Sequence, residues 1–171
     1  VRKIFKEVIL PGNCFHCGLC EGLTNNLFKM KESKNGPIPN LIRKPLHKDL
    51  KDLKKIFIAC PGRGVPYNFL LSKGKAKNKN NIIGNYNSIF TASSNSKIIR
   101  QNGSSGGIVR TLLLEMIKKN VIDYVCVLNE KKNKILKFDT LITKSEFEIK
   151  KLSQSIYVTT PVLHKIKKLK K

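Results

Sequence analysis

The spacing Cys-x-x-Cys-x-x-Cys at Cys14, Cys17 and Cys20 constrains this chain more than any other feature. Three thiols at two-residue gaps hold three corners of a metal site, yet residues 21–30 contain no fourth sulfur. The next cysteine is Cys60, in Ala-Cys-Pro-Gly. Loop closure becomes costlier only slowly with length, so a return over the 39 residues between Cys20 and Cys60 is no obstacle. Two-residue gaps let successive sulfurs reach neighbouring irons of a cubane while the intervening amides face its inorganic sulfides. Gly18 lets the backbone approach such a cluster, and Pro61 turns the chain away after Cys60. Cys14, Cys17, Cys20 and Cys60 therefore read as the ligands of one 4Fe-4S cluster. A structural zinc site would more naturally show two Cys-x-x-Cys pairs, and a thioredoxin-type redox pair would sit in a βαβ context that is lacking here. His16 reads as an exposed spacer within the motif, with a hydrogen bond to a ligand as the alternative. Cys126, inside Asp-Tyr-Val-Cys-Val-Leu, reads as an inert core residue.

At 171 residues with 40% hydrophobic content, the chain can bury a real core as one domain or two small ones. Five cysteines without an amino-terminal apolar signal segment argue for reduced thiols in a cytoplasm, and no apolar run is long enough for a membrane span. A net charge of +23 invites a nucleic-acid reading. The lysines, however, are spread from Lys3 to Lys171 among asparagines and isoleucines, without an aromatic-interleaved basic stripe. That pattern predicts solvated lysines and no nucleic-acid function. A non-enzymatic iron–sulfur or zinc module that binds a partner or nucleic acid is the alternative class.

Residues 1–71 read as a loop-rich iron–sulfur segment and residues 84–171 as the start of an α/β domain, so the fold class is α/β in the mixed α+β sense. In the first part, Leu46, Leu50, Leu53 and Ile56 form the buried stripe of a short helix leading to Cys60. Residues 72–82 read as an exposed Lys/Asn linker. Beyond it, residues 86–93 and 122–129 predict strands, and residues 134–143 another. Residues 96–101, 104–120 and 144–152 predict helices, the longest carrying apolar rows at Ile108, Leu112, Met116 and at Val109, Leu113, Ile117. Such alternation predicts a layered α/β domain. Residues 164–171 read as a helix cut in progress, and the chain as incomplete.

The loop Ser104-Ser105-Gly106-Gly107 opens the longest helix. Its hydroxyls and free amides suit a phosphate, and a simple helix cap with close packing explains it equally well.

The motifs at Cys14–Gly22, Gly36–Asn40, Ala59–Gly62, Ile99–Val125 and Leu152–Leu163, in this order, resemble the amino-terminal part of the coenzyme F420 (deazaflavin) hydrogenase/dehydrogenase beta-subunit family over nearly the whole chain. The family includes 7-hydroxymethyl chlorophyll a reductase and bacterial members encoded among polysaccharide genes. The resemblance implies a 4Fe-4S cluster on the four cysteines and FAD in the following domain, with Ser104, Ser105, Gly106, Gly107 and Tyr157 as flavin contacts. It implies a cytoplasmic oxidoreductase that exchanges electrons with a ferredoxin-like partner and acts on a small molecule; no catalytic residue is assigned. The chain departs from the family pattern at Gln154-Ser155-Ile156-Tyr157, where a Lys or Arg usually precedes the tyrosine. Family chains also continue further, which implies that these 171 residues hold the cluster but bind FAD weakly.

Overall fold

The computed structural model describes residues 1–65, 78, 80, 82–130, 137–152 and 155–169. The architecture is mixed α+β, built around two small apolar cores.

The first core gathers Ile4, Leu27, Phe28, Leu53 and Ile56. Helix α1 (Arg2–Ile4) continues into a wider-turned stretch, Phe5–Ile9, which buries Ile4 and Val8. Helix α2 (Leu19–Leu23) follows the cysteine loop and is closed by the Thr24 hydroxyl, which donates to Cys20 O at 2.7 Å. Strands β1 (Phe28–Lys31) and β2 (Ile38–Leu41) pair antiparallel, with Phe28 opposite Leu41 and Lys31 opposite Ile38. This hairpin lies inside the segment read as loop-rich. Its signal was the Asn35-Gly36 pair, which favours positive backbone angles, and Gly36 indeed has φ +98°. Helix α3 (Leu50–Ala59) forms as expected and buries Leu53 and Ile56. Leu46 and Leu50, assigned to the same buried stripe, are instead about half exposed, because they lie at the helix entrance beyond the edge of the core.

The second core joins Ile99, Leu114, Val125 and Ile149. Helix α4 (Lys97–Gln101) is capped by Ser96, whose hydroxyl oxygen accepts from Ile99 N. Helix α5 (Ile108–Lys118) follows the serine–glycine loop, and strands β3 (Val125–Glu130) and β4 (Phe138–Thr143) form a second antiparallel pair. Helix α6 (Glu146–Lys150) is capped by Ser145. The expected strand and helix alternation is therefore present from α4 onward, but its sheet is a hairpin. The connection from Glu130 to Phe138 is shorter than the roughly dozen residues a parallel crossover needs.

The strand expected at residues 86–93 does not form. Tyr86 makes one bridge, to Asn78, while Ile89 and Phe90 are exposed; the chain runs on to Ser94, whose N–H donates to Gly106 O at 2.8 Å. Among the described residues it has no partner strand for a ladder. The apolar rows of α5 are also corrected. Val109 and Leu112 are exposed, and Leu114 and Arg110 occupy the buried face. The linker read at 72–82 lies largely outside the described residues, as do residues 134–136 of the strand expected at 134–143.

Residues 164–169 belong to a stretch of tight 3-10 turns, Val162–Leu169, rather than to an α-helix cut short. This stretch packs along α2 on one side and against β4 and β3 on the other, tying the cysteine segment to the second core. Among the described residues no helix is long and apolar enough to cross a membrane.

Candidate functional site

The four cysteines of the motif reach one place by different routes. Cys14 and Cys17 lie on the loop after the first helical stretch, Cys20 in the first turn of α2, and Cys60 at the point where α3 gives way to extended backbone (φ −69°, ψ 116°). His16 and Gly18, at φ +55° and +81°, wind the loop between Cys14 and Cys20 tightly. The Glu21 carboxylate accepts from Met30 N at 2.7 Å and from Lys29 Nζ at 2.6 Å, fastening α2 to the first hairpin. Gly62 brings the turn after Cys60 against the loop, since a side chain there would overlap Asn13 O.

Cys14, Cys17, Cys20 and Cys60 all line a single apolar cavity walled by Ile4, Val8, Met30, Pro39, Ile56 and Pro61. All four are free thiols, each partly buried. Burial pushes the Cys20 thiol up to about 12, and repulsion from Cys60, then Cys17, then Cys14 adds to it. Cys14 is also raised, chiefly by burial; the His16 amide, which donates to Cys14 Sγ at 3.4 Å, pulls the other way. Each of these two thiols is thus close enough to the others for one thiolate to disfavour the next, which is the electrostatic condition a bound cation relieves. Among the described residues, no three His, Cys, Asp or Glu side chains converge as a single metal ion requires.

His16 is not the exposed spacer expected from its place in the motif. Its ring is partly buried, and Nδ1 lies 2.9 Å from Pro37 O, so the side chain pins the cysteine loop to the first hairpin. Cys126 lies on β3 away from the four-cysteine cavity, and its thiol donates to Val162 O at 3.7 Å. It is partly buried rather than a core residue, and burial raises its pKa while Lys165 opposes the rise.

The serine–glycine loop folds into one tight turn, Ser105–Gly107, with positive φ at Ser105, Gly106 and Gly107. Gly107 is buried, and a side chain there would meet Ile99 O at 2.6 Å. Ser104 Oγ accepts from the amide and the hydroxyl of Ser155, both at 3.0 Å. Ser104, Ser105 and Gly107 line a cleft of about 440 Å³ together with Arg110, Leu128 and Ile156. Arg110 was missed in the sequence because it occupies an otherwise apolar helix. It is buried, its guanidinium donating to Lys150 O at 3.2 Å, Asn102 O at 3.1 Å and Leu152 O. Gln154 lies outside the described residues.

Tyr157 is 95% exposed and does not touch the serine–glycine cleft. It lines a wider cleft of about 710 Å³ whose other walls are Cys14, Phe15 and His16 on one side and Leu128 and Val158 on the other. The second cleft thus shares Cys14 and Phe15 with the cysteine cavity and Leu128 with the serine–glycine cleft.

A family comparison bears on the second half of this arrangement. Residues 89–167 match the family model described as Coenzyme F420 hydrogenase/dehydrogenase, beta subunit N-term. This is the family that the sequence motifs resemble. The matched stretch contains Ser104–Gly107, α5, both strands of the second hairpin, Tyr157 and most of the Val162–Leu169 stretch, whereas all four cavity cysteines lie before it. The resemblance read over nearly the whole chain is thus matched over its second part. No curated protein matches the chain.

Proposed function

We propose that the chain is an electron-transferring oxidoreductase module that holds a 4Fe-4S cluster on Cys14, Cys17, Cys20 and Cys60 and FAD in the clefts beside it. What supports this reading is the adjacency of the three spaces. The cysteine cavity and the Tyr157 cleft share Cys14 and Phe15 as walls, and the Tyr157 cleft shares Leu128 with the serine–glycine cleft. When bound, the cluster supplies one-electron transfer and the flavin supplies the conversion between single electrons and a hydride.

The residues divide the work. The apolar walls from Ile4, Val8 and Ile56 shield the four thiols in part from water, and the His16 amide stabilises negative charge on Cys14. Ser104 and Ser105 present hydroxyls to an anionic or polar ligand, and Gly107 permits close approach of backbone. Arg110, its guanidinium held by three carbonyls, lines the cleft where Ile156 replaces the family's usual cation. Tyr157 offers an exposed ring for stacking in the cleft that borders Cys14. A ferredoxin-like carrier and a small-molecule substrate are the partners this division requires.

Anaerobic reconstitution of the chain with iron and sulfide tests the reading. The expected product is brown, with broad visible absorbance that bleaches on dithionite addition, and titrated FAD binds weakly, its fluorescence quenched only at high protein concentration. A colourless chain that takes up zinc in preference would overturn the cluster, and with it the oxidoreductase reading.

A further inference from the structure

We propose that residues 162–169 are a strap that positions Cys17 and Cys20, with Gly22 as its seat and Asp139 as its anchor. The proposal rests on the cluster reading for its chemical meaning, but its geometry stands independently. On the cysteine side, Leu163 N–H donates to Cys17 O at 2.7 Å, and Lys167 Nζ donates to Asn25 Oδ1 at 2.9 Å, just past α2. Glycines flank Cys20 on the face the strap covers. A Cβ at Gly18 would stand 2.8 Å from His164 N and 2.8 Å from Pro161 Cβ. One at Gly22 would overlap Leu163 O and come within 2.8 Å of Ile166 Cγ2. The absence of side chains at these two positions lets eight residues of backbone lie directly against the helix that carries Cys20.

On its other side the strap is held by the second hairpin. Thr140 Oγ1 donates to Val162 O at 2.9 Å, and Cys126 Sγ donates to the same oxygen at 3.7 Å. Lys165 Nζ reaches Asp139 Oδ2 at 2.8 Å and Thr140 O at 2.9 Å, while His164 Nε2 lies 3.4 Å from Asp139 Oδ1. A 3-10 run of this length has poor internal hydrogen-bond geometry, so its shape is set by these outside contacts. The strap therefore transmits the position of β4 to the cysteine loop. Strap residues 162–167 fall within the family-matched stretch, whereas the thiols they position lie before it. Gly18 thus serves strap packing as well as backbone approach to a cluster.

Gly22 makes the idea testable with a predicted sign. It sits inside α2 without a positive φ, so its backbone accepts alanine, which favours helix on intrinsic grounds. Only the strap makes Gly22→Ala costly. In the metal-free full chain, alkylation by iodoacetamide followed residue by residue in a mass spectrometer should be several-fold faster at Cys17 and Cys20 in Gly22→Ala than in wild type, with Cys60 as the internal reference. In the reconstituted chain the same variant should lose iron to a chelator several-fold faster. Unchanged alkylation with an equal or higher unfolding midpoint would overturn the strap. Asp139→Asn, at a position about one-third exposed, covers the case in which Gly22→Ala fails to fold. It should accelerate alkylation at Cys17 and Cys20 more modestly, and no acceleration would remove Asp139 as the anchor. If wild type takes up no iron at all, the cluster reading falls while the alkylation comparison still decides the strap.

Discussion

At the scale of single residues, what separates the five thiols is which space each one faces. Cys60 is distant in sequence from the other three motif cysteines, yet it lines their cavity and is the largest thiol contributor to the raised pKa of Cys20. Cys126 faces the strap instead. Cys60→Ser should therefore lower the iron content of the reconstituted chain as severely as Cys17→Ser, whereas Cys126→Ser should leave it at the wild-type value; iron and acid-labile sulfide assays measure both. Equal iron in wild type and Cys60→Ser would place the fourth ligand elsewhere. Arg110 shows the limit of reading residues by pattern. A cation within an apolar helix reads as solvated, but here three carbonyls at the ends of α4 and α6 receive it, a partnership between segments far apart in sequence. Burial lowers its pKa, and those carbonyls compensate the buried charge.

At the scale of elements, the entrance of α3 shows how a polar pair sets the path to Cys60. Asp49 is buried and receives both Arg43 terminal nitrogens at 2.7 Å, along with Leu46 N–H at 2.7 Å; Arg43 Nη2 also donates to Asn25 O at 2.9 Å. The Arg43 hydrogen bonds, followed by the Leu46 amide, hold the Asp49 carboxyl at about 2, below its usual 3.8. A depressed carboxylate pKa contributes stability that is present above about pH 3.8 and is lost as pH falls through about 2. In Asp49→Asn the unfolding midpoint should thus change less between about pH 4 and about pH 2 than in wild type, as followed by far-ultraviolet circular dichroism. Equal acid sensitivity in the two chains would show that Asp49 does not carry this linkage. The same bidentate pair is the second attachment at Asn25, whose side chain meets strap residue Lys167, so the end of α2 is held from two directions.

At the scale of the whole molecule, the +23 charge is spread over exposed lysines such as Lys3, Lys6, Lys51 and Lys54, while Glu7, Glu21, Asp49 and Asp52 pair with Arg63, Lys29, Arg43 and Lys55. On the proposed function, a surface of this sign would steer an acidic electron carrier. The rate at which such a carrier reduces the reconstituted chain should fall as salt rises, because the screening length contracts from about 10 Å at 0.1 M to about 3 Å at 1 M. Stopped-flow absorbance checks it, and a salt-independent rate would remove electrostatic docking. The sequence by itself determined the helices at α3, α4, α5 and α6 and the strand at β3, because each is specified by local periodicity and caps such as Ser96 and Ser145. It also singled out Cys14, Cys17, Cys20 and Cys60, since thiol spacing is a chemical requirement carried by residue type. Tertiary structure alone decided the rest. The carbonyl partners of Arg110, the anchoring of His16 to Pro37 and the strap over Gly18 and Gly22 are all contacts between segments distant in sequence. No local pattern encodes them, because the same lysine-rich 3-10 stretch adopts its shape only when α2 and β4 lie on either side of it.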